Sequence, residues 1–272
     1  LILPSALKEE SEPLINYFKL VRNSFFDFPC YFNKRKNLYL ISVGIGKKNI
    51  QSRINIFHDF INTDFIQYIN LGIAGGERDI TNIGERFLIN KIVDEKSGES
   101  FYPDILIKHD LIESSITTVE RPITDGGIKY QKLVDMESSE IHRICSKIVP
   151  LQNIAYLKVV SDHMDIDVKP NNLNIIDLIY PFLKDFELFL AKFYVLKKLY
   201  NPILSNTDLN WIKSIKDNLL LTQTQTNQLK ARMKLFRLNN YNKKLPDCNL
   251  EKPKSKLDRN IRLQNIFEIL TT

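Results

Sequence analysis

The chain reads as a three-layer α/β/α domain over residues 1–200, with a mixed, largely parallel central sheet, followed by a basic helical extension over residues 201–272. Three observations lead there. Short apolar runs alternate with stretches of helical periodicity, which is the signature of βαβ units. Several of those runs end in glycine turns, as buried parallel strands do. Charge also divides the chain: residues 201–272 carry 13 Lys+Arg against 6 Asp+Glu, whereas residues 1–200 carry 25 against 26.

The elements follow in order. Residues 1–4 read as a short strand. Residues 8–22 place Leu14, Ile15, Phe18 and Val21 at helical spacing. Residues 37–43 form a buried strand ending in Gly44-Ile45-Gly46, and residues 47–61 a helix with Ile50, Ile54, Ile56, Phe57 and Phe60 as its apolar positions. A third strand over 65–71 ends in Gly72-Ile73-Ala74-Gly75-Gly76. Residues 84–94 are strand-like, 98–104 read as a turn, and 115–119 form another β-rich run bounded by Arg121-Pro122 and Asp125-Gly126-Gly127. Residues 134–145 pass from strand into helix, 154–161 are a strand, and 173–200 a long apolar helix or helix pair. Beyond residue 205, segments 208–221 and 224–238 read as helices. A Pro- and Lys-punctuated linker over 245–256 precedes a last helix over 257–270.

Composition narrows the class. The hydrophobic fraction of 43% and charged fraction of 26% are those of a globular protein. No apolar run approaches the length of a membrane span. The opening Leu1-Ile2-Leu3 lacks a basic n-region and a cleavage pattern, so no signal peptide is expected. Cys30, Cys145 and Cys248 are odd in number and form no C-x-x-C, which argues against a disulfide framework or zinc site and for a reducing cytoplasm. The basic residues of the tail are interrupted by acids and carry few aromatics (Trp211, Phe236, Tyr241), a poor footprint for nucleic acid. A solvated helical extension is the better reading. Docking of a basic amphipathic helix on an anionic membrane surface is the minority one.

Three stretches carry the chemistry: Ala6-Leu7-Lys8-Glu9-Glu10, Val134-Asp135-Met136-Glu137-Ser138, and Val160-Ser161-Asp162-His163-Met164-Asp165. Each puts an acid at the end of an apolar segment, where a strand would deliver it to the rim of a sheet. Cleavage of a nucleoside's N-glycosidic bond needs three such groups. One manages water, one holds the ribose diol, and one donates to the departing base.

With the two glycine turns, this ordered set resembles the purine nucleoside phosphorylase and methylthioadenosine/S-adenosylhomocysteine nucleosidase superfamily over residues 1–200. The resemblance implies a nucleoside phosphorylase-like fold and assigns the roles. Asp162 is the base-protonating acid, with Ser161 beside it. Glu137 binds the ribose hydroxyls with Met136 lining the sugar, and Glu10 activates water. Gly44, Ile73, Ala74 and Gly75 form the turns beside the sugar's reactive carbon. The resemblance implies no metal or organic cofactor, and a homodimer whose subunits complete each other's 5′ pocket.

Departures from the family pattern sharpen the expectation. Phosphorylases carry Ser or Thr where Ile73 stands, and arginines in the glycine turns. Ile73 and Lys47-Lys48 offer neither the hydroxyl nor the planar guanidinium, although Lys47 could hold an anion. Hydrolysis is therefore favoured over phosphorolysis. The segment before Val134 is short and is similar to the compact branch that includes hopanoid-associated nucleosidases. Chain order then gives the adenine contact to residues 119–123, with Val119 and Glu120 foremost. His142 and His163 read as packing or exposed residues, Phe101 and Tyr102 equally as aromatic plates for a base or a partner's pocket or as loop anchors, and Asp135 as a strand-end charge at a helix start. The expected function is an N-ribosyl hydrolase releasing adenine from a 5′-modified nucleoside. The runner-up is a phosphate-dependent phosphorylase. The rival of another class is a nucleoside-binding regulator with a basic tail, which would have no need of Glu10. The base, the 5′ group and the role of residues 201–272 are left open.

Overall fold

A computed structural model describes residues 1–44, 46–61, 65–165, 174–199, 203–240, 243–247 and 251–271. Ile45 of the first glycine turn, Tyr241 and Cys248 fall outside these residues.

The chain begins with β1 (Ile2–Ser5) and α1 (Lys8–Phe18), then β2 (Val21–Arg22), β3 (Cys30–Asn33) and β4 (Leu38–Ser42). Next come α2 (Lys47–Phe60), β5 (Tyr68–Gly76), β6 (Arg86–Asp94), β7 (Ser100–Phe101), β8 (Ile112–Thr118) and β9 (Leu133–Asp135). They are followed by α3 (Ser138–Cys145), β10 (Ile154–Asp162), α4 (Ile175–Ile179), α5 (Leu183–Tyr194) and α6 (Leu196–Leu199). The segment expected as a long helix or helix pair is thus divided, with a 3-10 turn at Tyr180–Phe182 around Pro181. The first helix is also shorter than expected. Lys19, at φ 52°, ends it in the left-handed conformation, so Val21 enters a strand and is exposed.

The sheet is mixed, as expected, and it also closes on itself. Strand β1 lies parallel to β4 and to the start of β5, and β5 runs parallel to β10. Strand β10 pairs antiparallel with β6, β6 and β8 are parallel, and β8 and β9 are parallel. Strand β9 returns antiparallel to Gly75 and Gly76 at the end of β5. The strands β5, β10, β6, β8 and β9 therefore form a ring, with β1, β4, β3 and β2 continuing outward as an open sheet. Register shifts at residues 89–91 of β6 and 160–162 of β10 supply the bends that closure requires.

Side chains alternate across the strands and build two cores. Ile2, Ile41, Tyr68, Ile154 and Tyr156 face one way and pack with Ile50, Ile54 and Phe57 of α2 and Ile141 and Cys145 of α3. Leu3, Leu40, Ile69, Leu157 and Val159 face the other way and meet Leu14 and Phe18 of α1 with Phe186, Leu190 and Phe193 of α5. This is the three-layer arrangement.

The chain divides into two units, Leu1–Leu199 and Tyr200–Thr272. The second has its own core, in which Ile215 and Leu219 of α7 (Asn206–Leu219) join Leu229, Met233 and Phe236 of α8 (Gln223–Asn239) and Leu263 and Ile266 of α9 (Lys256–Ile269). Ser205, Thr222 and Ser255 cap α7, α8 and α9 through their hydroxyls. Among the described residues, no helix is long and apolar enough to cross a membrane.

Candidate active site

The carboxyl ends of the parallel strands β1, β5 and β10 meet at one edge of the sheet, where the antiparallel β9 and the segment from Val119 to Ile123 line a shared space with them. Ligands of open α/β sheets sit at such an edge. A cleft of about 330 Å³ opens here, within the range of small-molecule sites.

Glu10 comes from the first turn of α1. Its carboxylate reaches back to the helix start, where Oε2 accepts from the amides of Ala6 (3.2 Å) and Leu7 (3.1 Å) and lies 3.4 Å from Ser5 Oγ. That is one half of a capping box. The other oxygen, Oε1, accepts from the amide of Ile73 at 2.9 Å. The carboxylate is thus pinned between two strand ends and is 4% exposed. The approach requires a glycine at position 72, since a Cβ there would lie 2.6 Å from Glu10 Oε1.

Glu137 is the N-cap of α3, immediately after β9. Burial, and then the neighbouring Asp135 carboxylate, push its carboxyl up to about 7. Lys158 opposes the rise and Glu10 adds to it. Met136 lines the cleft beside it.

Asp162 ends β10 just after the register shift, opposite Gly75. Such a bulge re-aims the side chain that follows it. Asp162 Oδ1 accepts from the amide of Met164 (2.8 Å), and Oδ2 accepts from Ser161 Oγ (2.6 Å). Met164 sits in the left-handed conformation at φ 58°. Its side chain fills the space left by Gly75 and Gly127, where a Cβ would come within 2.6 Å of Met164 atoms. With Val119, Tyr130 and Val134, and with Ile123 and Met136 against them, Met164 makes an apolar wall.

The structure therefore brings Glu10, Ile73, Ala74, Gly75, Val119, Met136, Glu137, Ser161 and Asp162 to one cleft. Two residues singled out from the sequence are not among its lining. Glu120 is turned to solvent and pairs with Lys96 at 2.8 Å. Gly44, at φ 70°, lies against the Arg53 guanidinium. That guanidinium donates to Ser42 O (2.9 Å) and sits over the Phe28 ring.

Leu7, Val134, Asp135 and Met164 line the cleft without having been read as site residues. Met164 lay inside a quoted motif, but its role depends on a backbone conformation that spacing does not reveal. Asp135 does touch the helix start, accepting from Ser138 N (3.1 Å), but it also pairs with Lys158 at 2.9 Å. His142 packs, tilted, between the rings of Phe101 and Tyr156, and burial lowers it to about 4. His163 Nδ1 lies 3.1 Å from the Gly76 carbonyl, and Asp165 pairs with Arg78.

No family profile and no curated protein matches the chain. Solved structures do. The S. pneumoniae 5′-methylthioadenosine/S-adenosylhomocysteine nucleosidase, held with a transition-state inhibitor, superposes over 70% of this chain and 98% of its own, with a TM-score of 0.57 and 16% identity. The fold is that of these nucleosidases. The Chlamydia trachomatis nucleosidase bound to adenine agrees over 70% of this chain and 97% of its own (TM-score 0.55, 18% identity). The Campylobacter jejuni nucleosidase agrees over 71% and 96% (TM-score 0.53, 20% identity). The resemblance carried by the motifs is thus borne out as a nucleosidase fold, over a share of the chain close to the size of its first unit.

Proposed function

We propose that the chain is a nucleosidase that hydrolyses the N-glycosidic bond of a 5′-modified adenine nucleoside. The observation that carries this reading is the meeting of Glu10, Glu137 and Asp162, from three distant segments, around one nucleoside-sized cleft with an apolar wall. In the reaction, positive charge grows on the ribose and negative charge on the base. Asp162, fixed by Met164 N and Ser161 Oγ, stands where the base leaves and supplies a proton or strong hydrogen bond. Glu137 in its ionised form accepts from the 2′ and 3′ hydroxyls. Glu10, held by three backbone amides, orients the attacking water. The apolar wall receives the base face.

Two observations favour water over phosphate as nucleophile. Ile73 brings no hydroxyl, and its amide is already given to Glu10. The arginine beside the first glycine turn, Arg53, spends Nη1 on Ser42 O.

The test is chromatographic detection of free base from methylthioadenosine, S-adenosylhomocysteine, 5′-deoxyadenosine, adenosine and inosine, with and without phosphate. Adenine is expected without phosphate, with an Asp162→Asn chain at least about 100-fold slower, as befits loss of a general acid. Release only with phosphate would establish a phosphorylase. Binding without release from any substrate would establish a regulator.

A further inference from the structure

Behind the cleft lies a buried polar layer that the three acids do not account for. Lys158, on β10, is 1% exposed. Its Nζ lies 2.9 Å from Asp135 Oδ2. Asp135 also accepts from Thr118 Oγ1 (2.7 Å) on β8 and from the amide and hydroxyl of Ser138 (3.1 and 2.5 Å) in the first turn of α3. Ser139 extends the layer, its amide donating to Thr118 Oγ1 (3.0 Å) and its hydroxyl to Asp94 Oδ2 (2.8 Å) on β6. Arg143 closes it at the surface, 3.4 Å from Asp94 and 2.9 Å from Glu99. One run of polar contacts thus ties the ends of β6, β8 and β9 and the middle of β10 to the helix whose N-cap is Glu137.

The same ammonium also faces the other acid. Lys158 Nζ lies 3.5 Å from the point where Gly72 would carry a Cβ, and Glu10 Oε1 lies 2.6 Å from that point. The charged groups facing Lys158 are therefore Asp135 from β9, Glu137 from the start of α3 and Glu10 from α1.

We propose that Lys158 is a positioning residue of the hydrolytic site: through Asp135 it fixes the corner that delivers Glu137, and its sealed charge lets Glu10 and Glu137 work as neighbouring carboxylates. The inference rests on the nucleosidase reading. Its physical basis is that like charges in a closed site disfavour each other's ionisation, and a cation buried among them offsets this. A lysine walled off from water would ordinarily lose its proton. Burial does oppose the charge of Lys158, but attraction to Asp135, Glu10 and Glu137 outweighs it and holds the ammonium above its usual range. Offsetting the neighbouring carboxylates is a role that no uncharged side chain serves.

The experiment compares wild type with Lys158→Gln, whose amide still donates to Asp135, and Lys158→Arg, which restores the charge. A thermal melt of each confirms the folded state. In Lys158→Gln, kcat/KM for adenine release at pH 7 is expected to fall about 100-fold, the scale of a misplaced catalytic group. The acid limb of its pH profile is expected to move upward by about one pH unit, a tenfold change in the ionised fraction. Lys158→Arg keeps the wild-type limb. A Lys158→Gln limb that coincides with wild type would overturn the proposal and leave Lys158 a structural residue. The second readout needs no turnover: carboxyl carbon NMR, with Glu137 assigned through Glu137→Gln, follows its titration directly. An upward move in Lys158→Gln upholds the proposal even where the substrate panel gives no product and the nucleosidase reading fails. An unmoved titration sinks it either way.

Discussion

Glu137 and Glu10 are both half- or fully buried carboxylates at helix starts, yet their surroundings differ. Glu10 is met by three backbone amides. Glu137 meets a low-dielectric wall and the Asp135 carboxylate, which together hold it at about 7, above the ordinary 4.5. Between those two values the folded chain binds the Glu137 proton more tightly than the unfolded chain does. Stability from this group is therefore full below about pH 4.5 and is lost as pH rises through about 7. The conversion puts the loss on the order of 3 kcal/mol. Thermal melts of the free protein from pH 5 to pH 8 check this. Wild type is expected to lose several degrees relative to Glu137→Gln across that window, at the few degrees per kcal/mol of a chain this size. Parallel melting curves would show that Glu137 ionises at the ordinary value. The same ionisation governs diol binding, so substrate affinity rises over the pH range in which the free protein weakens.

At the scale of elements, catalytic geometry depends on where helix starts meet strand ends. Helix α1 is positioned by Glu10, and Glu10 is received by Ile73 only because residue 72 has no Cβ. Gly72→Ala is expected to push the carboxylate away at a cost of about 1–3 kcal/mol, the usual penalty for overpacking. It should lower kcat for adenine release about 100-fold while leaving adenine binding, measured by calorimetry, unchanged, because the Val119–Met164 wall is untouched. Loss of adenine affinity would mean that β5 itself had shifted. Much of this was legible in the sequence, since acids and glycines at strand ends in a fixed order are local signals. The ring was not: β10 pairing with β6, and β9 with Gly75 and Gly76, are long-range pairings that periodicity does not encode. The strand at Cys30–Asn33 was missed because Phe25, Phe26 and Phe28 crowd the segment before it and obscure any alternation. Glu120 was misplaced because chain order fixes a backbone position and leaves the side chain free to pair with Lys96. Lys158 was invisible for a different reason. A lysine inside an apolar strand becomes informative only once its partners from β9 and α1 are known.

At the scale of the whole molecule, charge and chemistry occupy different units. The described residues that line the cleft belong to Leu1–Leu199, while the basic surplus lies in Tyr200–Thr272. The few aromatics of the tail are partly structural, since Phe236 is buried in the helical core and Trp211 donates to Pro246 O. The helical unit is held by a buried pair. Arg237 Nε and Nη2 reach Asp208 Oδ1 at 2.9 and 2.6 Å, and the aspartate side chain is 1% exposed. Removing one partner of such a pair leaves a buried charge uncompensated and costs about 3–5 kcal/mol. Arg237→Met is therefore expected to melt the second unit early, visible by circular dichroism as loss of helix below the main transition. Adenine release measured below that temperature, and again between the two transitions, then reports what the second unit contributes. With the cleft built wholly from the first unit, kcat/KM is expected to stay within about twofold of wild type at both temperatures after correction for the ordinary temperature dependence of the rate. A collapse of kcat/KM that tracks the early transition would instead make the helical unit part of the working site.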